Sequence, residues 1–414
     1  MPEPLPIVLD PAGARPEAEA VELRAHGPAV RVDVLGVTAW AVTDPAVLKS
    51  LLTSPDVSKD PRLHWPSYQE VVATWPLALW IAVRNMFTAY GGDHRRLRRM
   101  VAPAFSARRI AALAGAVRVI VDDLLDDLAT GAPGEVTDLR ERYAYPVPIR
   151  VISLLLGLPD EQRDEFRATV DGVFDTTLTS EQAAANTEVL YGVLDRLIAT
   201  RRADPGDDLT SHLITVCDDD GSVLSDAELR DTLLLMVSAG YETTVNLIDQ
   251  AIALLLGDPH RVADALAGRT GWPDIVEETL RLEPPLKYLP LRYAVADIAL
   301  PDGQVIARGE AVLASYAAAN RHPHWHGPSA DRFDPGRTAP GPEHLAFGHG
   351  VHFCLGAPLA RLEAATALEA LFTRFPRAEP AVPCGQLPRV PSLIANGHRR
   401  LPVRLVPATV PPGP

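Results

Sequence analysis

The chain has 414 residues, 47% hydrophobic and 22% charged, and carries a net charge of −14. Those values describe a folded globular protein; the acidic balance argues against nucleic acid as a partner, and no run of about 18 apolar residues is present to span a bilayer. Three cysteines, an odd and sparse count, argue against a disulfide framework and for a reducing, cytoplasmic setting.

No Gly/Ser-rich or charged linker divides the chain, so a single large domain is expected. At this length its core has room to enclose a sizeable cofactor. Met1-Pro2-Glu3-Pro4-Leu5-Pro6 lacks the basic-then-apolar order of a signal peptide. Residues 1–20 and the Pro-rich residues 407–414 are expected to be loose.

In chain order, the first informative element is a basic helix that Asp93 should cap and that runs through Met100. His94 and Arg98 are four residues apart and share a face. Such a face suits a pair of carboxylates, or is simply solvated. Arg95, Arg96 and Arg99 point elsewhere and form a basic patch on an acidic protein.

Ser225-Asp226-Ala227-Glu228 is a capping box that opens an apolar helix. Gly257-Asp258-Pro259 stops it after Leu256, a length of roughly 45 Å. Its middle reads Ala239-Gly240-Tyr241-Glu242-Thr243-Thr244. Glycine there costs about 1 kcal/mol against alanine, and threonine bonds back to the i−4 carbonyl and bends helices. One reading is a bent core helix with a solvated glutamate. The other is a helix weakened where a ligand lies against it, with Glu242 and Thr243 passing protons.

Asp274-Ile275-Val276-Glu277 marks another helix start, and Glu283-Pro284-Pro285 its end. Within it Glu278 and Arg281 are three apart and can pair. The pair is either a surface ion pair or, given its place ahead of the cysteine loop, a buried lock on that loop. Val295 to Val305 and Glu310 to Ser315 read as short strands around Pro301-Asp302-Gly303.

The densest chemistry is Phe347-Gly348-His349-Gly350-Val351-His352-Phe353-Cys354-Leu355-Gly356. One cysteine is framed by glycines that let backbone approach a planar ligand. A helix follows from about Gly356, with Pro358 in its first turn. Its dipole is expected to lower the thiol pKa. A small buried hydrophobe is the plain alternative. A structural zinc site would need a second close cysteine, and Cys217 and Cys384 are remote. A single thiolate for haem iron fits best.

Together these segments resemble the cytochrome P-450 superfamily, specifically its soluble actinobacterial members. Ala319-Asn320-Arg321, Arg332-Phe333-Asp334-Pro335 and Gly356-Ala357-Pro358-Leu359-Ala360-Arg361-Leu362-Glu363 add to the likeness. Ser58-Lys59-Asp60-Pro61-Arg62 and the helix around Ala239 resemble a subfamily that contains steroid hydroxylases. The resemblance implies a mainly α fold with small β-sheets, holding heme b between the long central helix and the cysteine-loop helix. It implies Cys354 as iron ligand and His94, Arg98, Arg292 and His352 on the propionates. Ala239, Gly240, Phe347, Gly348 and Gly356 would line the haem, and Glu278 with Arg281 would be structural. Thr243 would hydrogen-bond the oxygen being activated while Glu242 brings protons. The substrate pocket would draw on residues 65–90, Leu235, Ser238, Ala239, Leu286 to Leu291 (Leu289 among them), Leu393 and Ile394, all largely apolar.

The implied activity is O2-dependent hydroxylation of a hydrophobic small molecule. Oxidative coupling of rings, a peroxide-driven peroxygenase and a non-catalytic haem protein stand as alternatives. The chain shows no flavin fingerprint or iron–sulfur cluster of its own. Electrons would come from a ferredoxin and its reductase, docking on Arg95, Arg96, Arg99 and Arg361.

Overall fold

A computed structural model describes residues 5–132, 134–159, 162–218, 221–337 and 344–406. Residues 1–4 and the tail 407–414 lie outside the described residues. The architecture is mainly helical with three small sheets. Among the described residues no helix is long and apolar enough to cross a membrane.

The central helix spans Asp226–Leu256, as its signals predict. Ser225 Oγ accepts the Glu228 amide at 3.3 Å and Glu228 Oε2 accepts the Ser225 amide at 2.9 Å. From Thr244 to Ala253 every residue is buried, the signature of a helix running through a core. The basic helix covers Gly91–Val101 and the Glu-Arg helix Trp272–Leu282. Neither Asp93 nor Asp274 is the cap: each helix starts about a turn earlier, behind Tyr90 and Gly271. The two aspartates sit in first turns, where a negative charge favours the helix dipole.

The main sheet contains β1 (Ile7–Val8), β2 (Ala29–Val34), β3 (Val37–Val42), β4 (Val57–Ser58), β5 (Tyr288–Ala294) and β6 (Ala311–Ser315). Its order is β1-β2-β3-β6-β5-β4. The expected hairpin forms from Ile298–Ala299 and Val305–Ile306, with Gly303 at φ +86° in its turn. Residues 5–20 are not loose: Ile7 and Val8 pair with Val32 and Asp33, Leu9 and Pro16 are buried, and Pro16–Ala25 is helical. The pairing of β5 with β6 slips between Leu289 and Arg292. Three residues apart in a regular strand, these side chains would face opposite ways. The irregularity lets both reach the central cavity.

Candidate active site

Backbone geometry shapes the cysteine loop. Gly348 and Gly350 both have φ +71°, which favours glycine. A Cβ on Gly350 would stand 2.6 Å from the carbonyl oxygen of Leu52, so a neighbouring helix, Pro45–Thr53, demands that glycine. The Cys354 amide donates to Phe347 O at 3.0 Å. The following helix is Ala357–Arg374, with Pro358 in its first turn. Desolvation pushes the Cys354 thiol above its ordinary pKa, against the amides of Gly356 and Ala357 and the charges of Arg98 and Arg361. The amides at the helix start act in the expected direction, but burial of the thiol outweighs them. A metal ion on the sulfur would ionise it.

One cavity extends from this loop to the central helix, with about 1780 Å³ of space including its mouth. Cys354, Phe347, Gly348, Gly356, Arg98, Arg292, His352, Ala239, Gly240 and Thr243 all line it, as do Leu235, Ser238, Leu286 and Leu289. Gly240 has a further reason to be glycine: a Cβ there would come within 3.1 Å of Ile152.

Five basic groups gather at one edge. The His94 and His352 rings meet tilted by 49°, with centroids 4.1 Å apart. Arg98 donates to Phe353 O at 2.7 Å, tying the basic helix to the cysteine loop. Lys59 donates to Pro290 O at 3.2 Å and lies 3.6 Å from the Phe87 ring centroid. Arg292 Nη1 and His94 Nε2 are buried without a partner. Burial, then Arg98, push His94 down to about 4. Burial, then His94 and Arg292, push His352 down to about 2. Among the described residues no carboxylate pairs with any of the five. Buried donors with no anion fit a ligand bearing two carboxylates, as haem does. Glu363 also lines the cavity, but burial raises its pKa well above the ordinary value and keeps it neutral.

The two halves of the expected acid–alcohol pair face different ways. Thr243 lines the cavity and donates to Ala239 O at 2.5 Å. Glu242 does not line it. Its Oε1 accepts from Arg140 Nη2 at 3.0 Å, and Arg140 also bonds Asn246 and lies 3.4 Å from Asp249. Asp249 in turn meets His398 Nδ1 at 2.9 Å. Successive helix positions are about 100° apart, so a neighbour of Thr243 turns into the core. Burial raises Glu242 to about 7, outweighing the opposing pull of Arg140. Arg140 starts a π-helical turn, Arg140–Ala144, a rare geometry often found at functional positions. Nothing in its local sequence marks it.

Leu393 and Ile394 do not line the cavity. They are buried in the core, and Ile394 O accepts the Lys287 amide at 2.8 Å, behind Leu286. The wall comes from Leu79, Trp80, Val83 and Phe87, within the expected stretch 65–90, together with Ile152 and Phe174. Trp80 meets Phe174 edge-on at 5.3 Å and Phe87 at 6.3 Å. The last two residues of the list, Ile152 and Phe174, had no sequence signal beyond being apolar.

Glu278 and Arg281 are a buried pair, both side chains 0% exposed, joined at 2.7 and 2.8 Å. Arg281 also donates to the carbonyls of Asn320, Ala330 and Arg332, and Glu278 accepts the Asp334 amide. The pair thus locks the segment before the cysteine loop. The neighbouring Glu277 reaches the loop itself, through His344 at 3.1 Å and Arg361 at 2.5 and 2.9 Å.

The expected basic patch is largely paired. Arg96 bonds Glu228, Arg99 lies 3.5 Å from Asp218, and Arg361 holds Glu277. Around the cysteine loop, Val351 and Phe353 are exposed beside Lys49, His349 and Arg361.

Residues 273–382 match the family model described as Cytochrome P-450. The chain is 40% identical to 2-hydroxy-5-methyl-1-naphthoate 7-hydroxylase of Streptomyces carzinostaticus over 97% of each chain. It is 39% identical to the cytochrome P-450 monooxygenase PikC of Streptomyces venezuelae, covering 94% of this chain and 91% of the relative. Among solved structures it resembles CYP154A1 from Streptomyces coelicolor A3(2), with 64% identity, a TM-score of 0.93, and 96% and 100% of the two chains covered.

Proposed function

The chain belongs to the cytochrome P-450 family, and from that premise we propose that it inserts one oxygen atom of O2 into a C–H bond of an uncharged, ring-bearing apolar molecule, with two electrons from an external donor. One observation carries the reading: a single cavity combines a lone cysteine in a glycine-turned loop, Thr243 on the central helix, and four basic side chains, Lys59, Arg98, Arg292 and His352, that pair with no carboxylate among the described residues.

The residues present fit heme b. Cys354 would ligate its iron, and His94, Arg98, Arg292 and His352, with Lys59, would hold its propionates. Bound there, it supplies the O–O cleavage that a thiolate ligand favours. Thr243 offers a hydroxyl at the cavity wall, where it holds a proton in place. Glu242, poised near neutrality by burial, is a suitable proton reservoir. To serve Thr243 its carboxyl must leave Arg140 and rotate toward the cavity, which makes Arg140 the latch.

The rest of the cavity is apolar, and its aromatic roof of Trp80, Phe87 and Phe174 suits rings packed edge to face. Ser238, Thr243 and Thr244 each donate their hydroxyl proton to a helix carbonyl four residues back, so they present acceptors to a substrate. A ferredoxin, reduced by its reductase, would dock where Val351 and Phe353 are exposed beside Lys49 and Arg361.

The test has two stages. Carbon monoxide added to the reduced protein should give a thiolate-type Soret band; without one, the assignment of Cys354 fails. Neutral ring compounds should then shift the haem spectrum, and turnover with O2 and reductant should add one oxygen to the product. A product lacking two hydrogens instead would make the reaction a coupling.

A further inference from the structure

Away from the cavity, one group of side chains has the donor set of a metal site. Asp44 lies between β3 and the helix Pro45–Thr53, while His322 and His324 flank Pro323 in the turn after the helix Tyr316–Asn320. One ligand atom from each lies within 4.8 Å of the others, the one such group among the described residues. Nδ1 of His324 is 3.7 Å from Oδ2 of Asp44, and the two imidazole centroids are 4.5 Å apart. We propose that Asp44, His322 and His324 bind one divalent transition-metal ion, of the zinc class, that clips the start of helix Pro45–Thr53 to the turn after Asn320.

The carboxylate is held in place for this. Asp44 Oδ1 caps its helix through the amides of Ala46 and Val47 at 2.9 and 3.0 Å, which leaves Oδ2 for a ligand. Two imidazoles and one carboxylate suit zinc, nickel or copper, and suit poorly the all-oxygen preference of calcium and magnesium. An opposing contact exists: His322 Nδ1 accepts the His324 amide at 3.2 Å. Whichever ring nitrogen the ion takes, that bond is lost, but at 3.2 Å it is at the long end of its kind.

The position gives the ion something to do. The helix that Asp44 caps ends with Leu52 O against Gly350, and Asn320 Oδ1 holds the Leu345 amide at 2.8 Å. Both clipped elements therefore touch the cysteine loop.

Equilibrium dialysis of the haem-loaded enzyme against Zn2+, with Ca2+ as the control, tests the site. One Zn2+ per chain and no Ca2+ are expected. Asp44→Asn and His322→Asn keep both caps, and the exposed His324→Ala disturbs nothing else; each should weaken zinc binding by about tenfold or more. Zinc should raise the unfolding midpoint of the wild type more than that of any of the three variants, with the carbon monoxide spectrum unchanged throughout. Zinc that binds all three variants as tightly as the wild type, or a wild type that takes up none, overturns the site.

Discussion

Two buried arginine–carboxylate pairs flank the cavity, and they differ in how completely they are satisfied. Every donor of Arg281 has an acceptor: Arg281 serves Glu278 and three carbonyls, and Glu278 also takes an amide, with Arg337 Nε 3.6 Å from Glu278 Oε1 the one buried donor beside them left without a hydrogen bond. Around Glu242 and Arg140, Glu242 Oε2, Asn246 Nδ2, Asp249 Oδ1 and the Tyr241 hydroxyl are buried without partners. A closed network rigidifies, whereas an open one leaves positions for water and for a side chain to move. The first pair holds the approach to the cysteine loop still. The second holds Glu242, which must let go of Arg140 if it is to serve as the proposed proton donor.

The largest effect that could break this contrast lies at the closed pair. Arg281→Lys removes the planar fork that four acceptors share, and Glu278→Gln leaves Arg281 charged and buried. Opening a buried ion pair costs about 3–5 kcal/mol. Either variant should fail to accumulate as haem-loaded protein, read from the carbon monoxide spectrum per unit of protein. Normal loading in either would show that the pair does not hold the loop.

At the open side the expected losses are of function more than of folding. Thr243→Ala keeps the cavity and removes its hydroxyl. Product formed per electron pair consumed should fall by on the order of 10-fold or more, while substrate-induced spectral shifts persist. Unchanged coupling would remove Thr243 from the chemistry.

A smaller effect tests Glu242. Its folded pKa of about 7 lies above the roughly 4.3 of an unfolded glutamate. Between those values the folded chain keeps a proton that the unfolded chain has released, so stability falls as pH rises through the window. The contribution is complete below about pH 4.3 and gone above about 7, and amounts to at most about 4 kcal/mol. Glu242→Gln should flatten that part of the stability profile. Arg140→Gln, which removes the opposing charge, should move the window upward. Identical profiles in wild type and Glu242→Gln would mean that the carboxyl is not held neutral.

The same contrast explains what the sequence made legible. The central helix, the Glu278–Arg281 spacing and the cysteine loop carry local signals: a capping box, an i,i+3 pair, glycines at φ +71°. The direction of Glu242 does not, because Arg140 stands 102 residues away and no local pattern fixes how the helix is turned. Strands β2 and β3 lie in apolar stretches whose one turn mark is Gly36, in the left-handed region beside Leu35. Leu393 and Ile394 were apolar as expected, but apolarity alone does not separate a cavity wall from the core behind it. The basic patch misled for a related reason: Arg96 finds its partner Glu228 132 residues on, beyond the reach of any pattern in the basic helix itself.

That last point yields the smallest effect and the sharpest distinction. If Arg95, Arg96, Arg99 and Arg361 formed an open field, reversing one charge would slow reduction by an acidic ferredoxin strongly, since steering by such fields spans about 10- to 1,000-fold. With Arg96, Arg99 and Arg361 each facing a carboxylate, Arg95→Glu should change the rate only a few-fold. The change should fade as ionic strength passes about 0.15 M, where the screening length is about 8 Å. Arg95 is exposed, so stability should shift by no more than about 0.5 kcal/mol. Val351→Asp, placed in the exposed apolar surface beside the cysteine loop, should slow reduction at every salt concentration, because it opposes contact and not long-range attraction. A large, salt-sensitive effect of Arg95 with none from Val351 would restore the basic helix as the docking face.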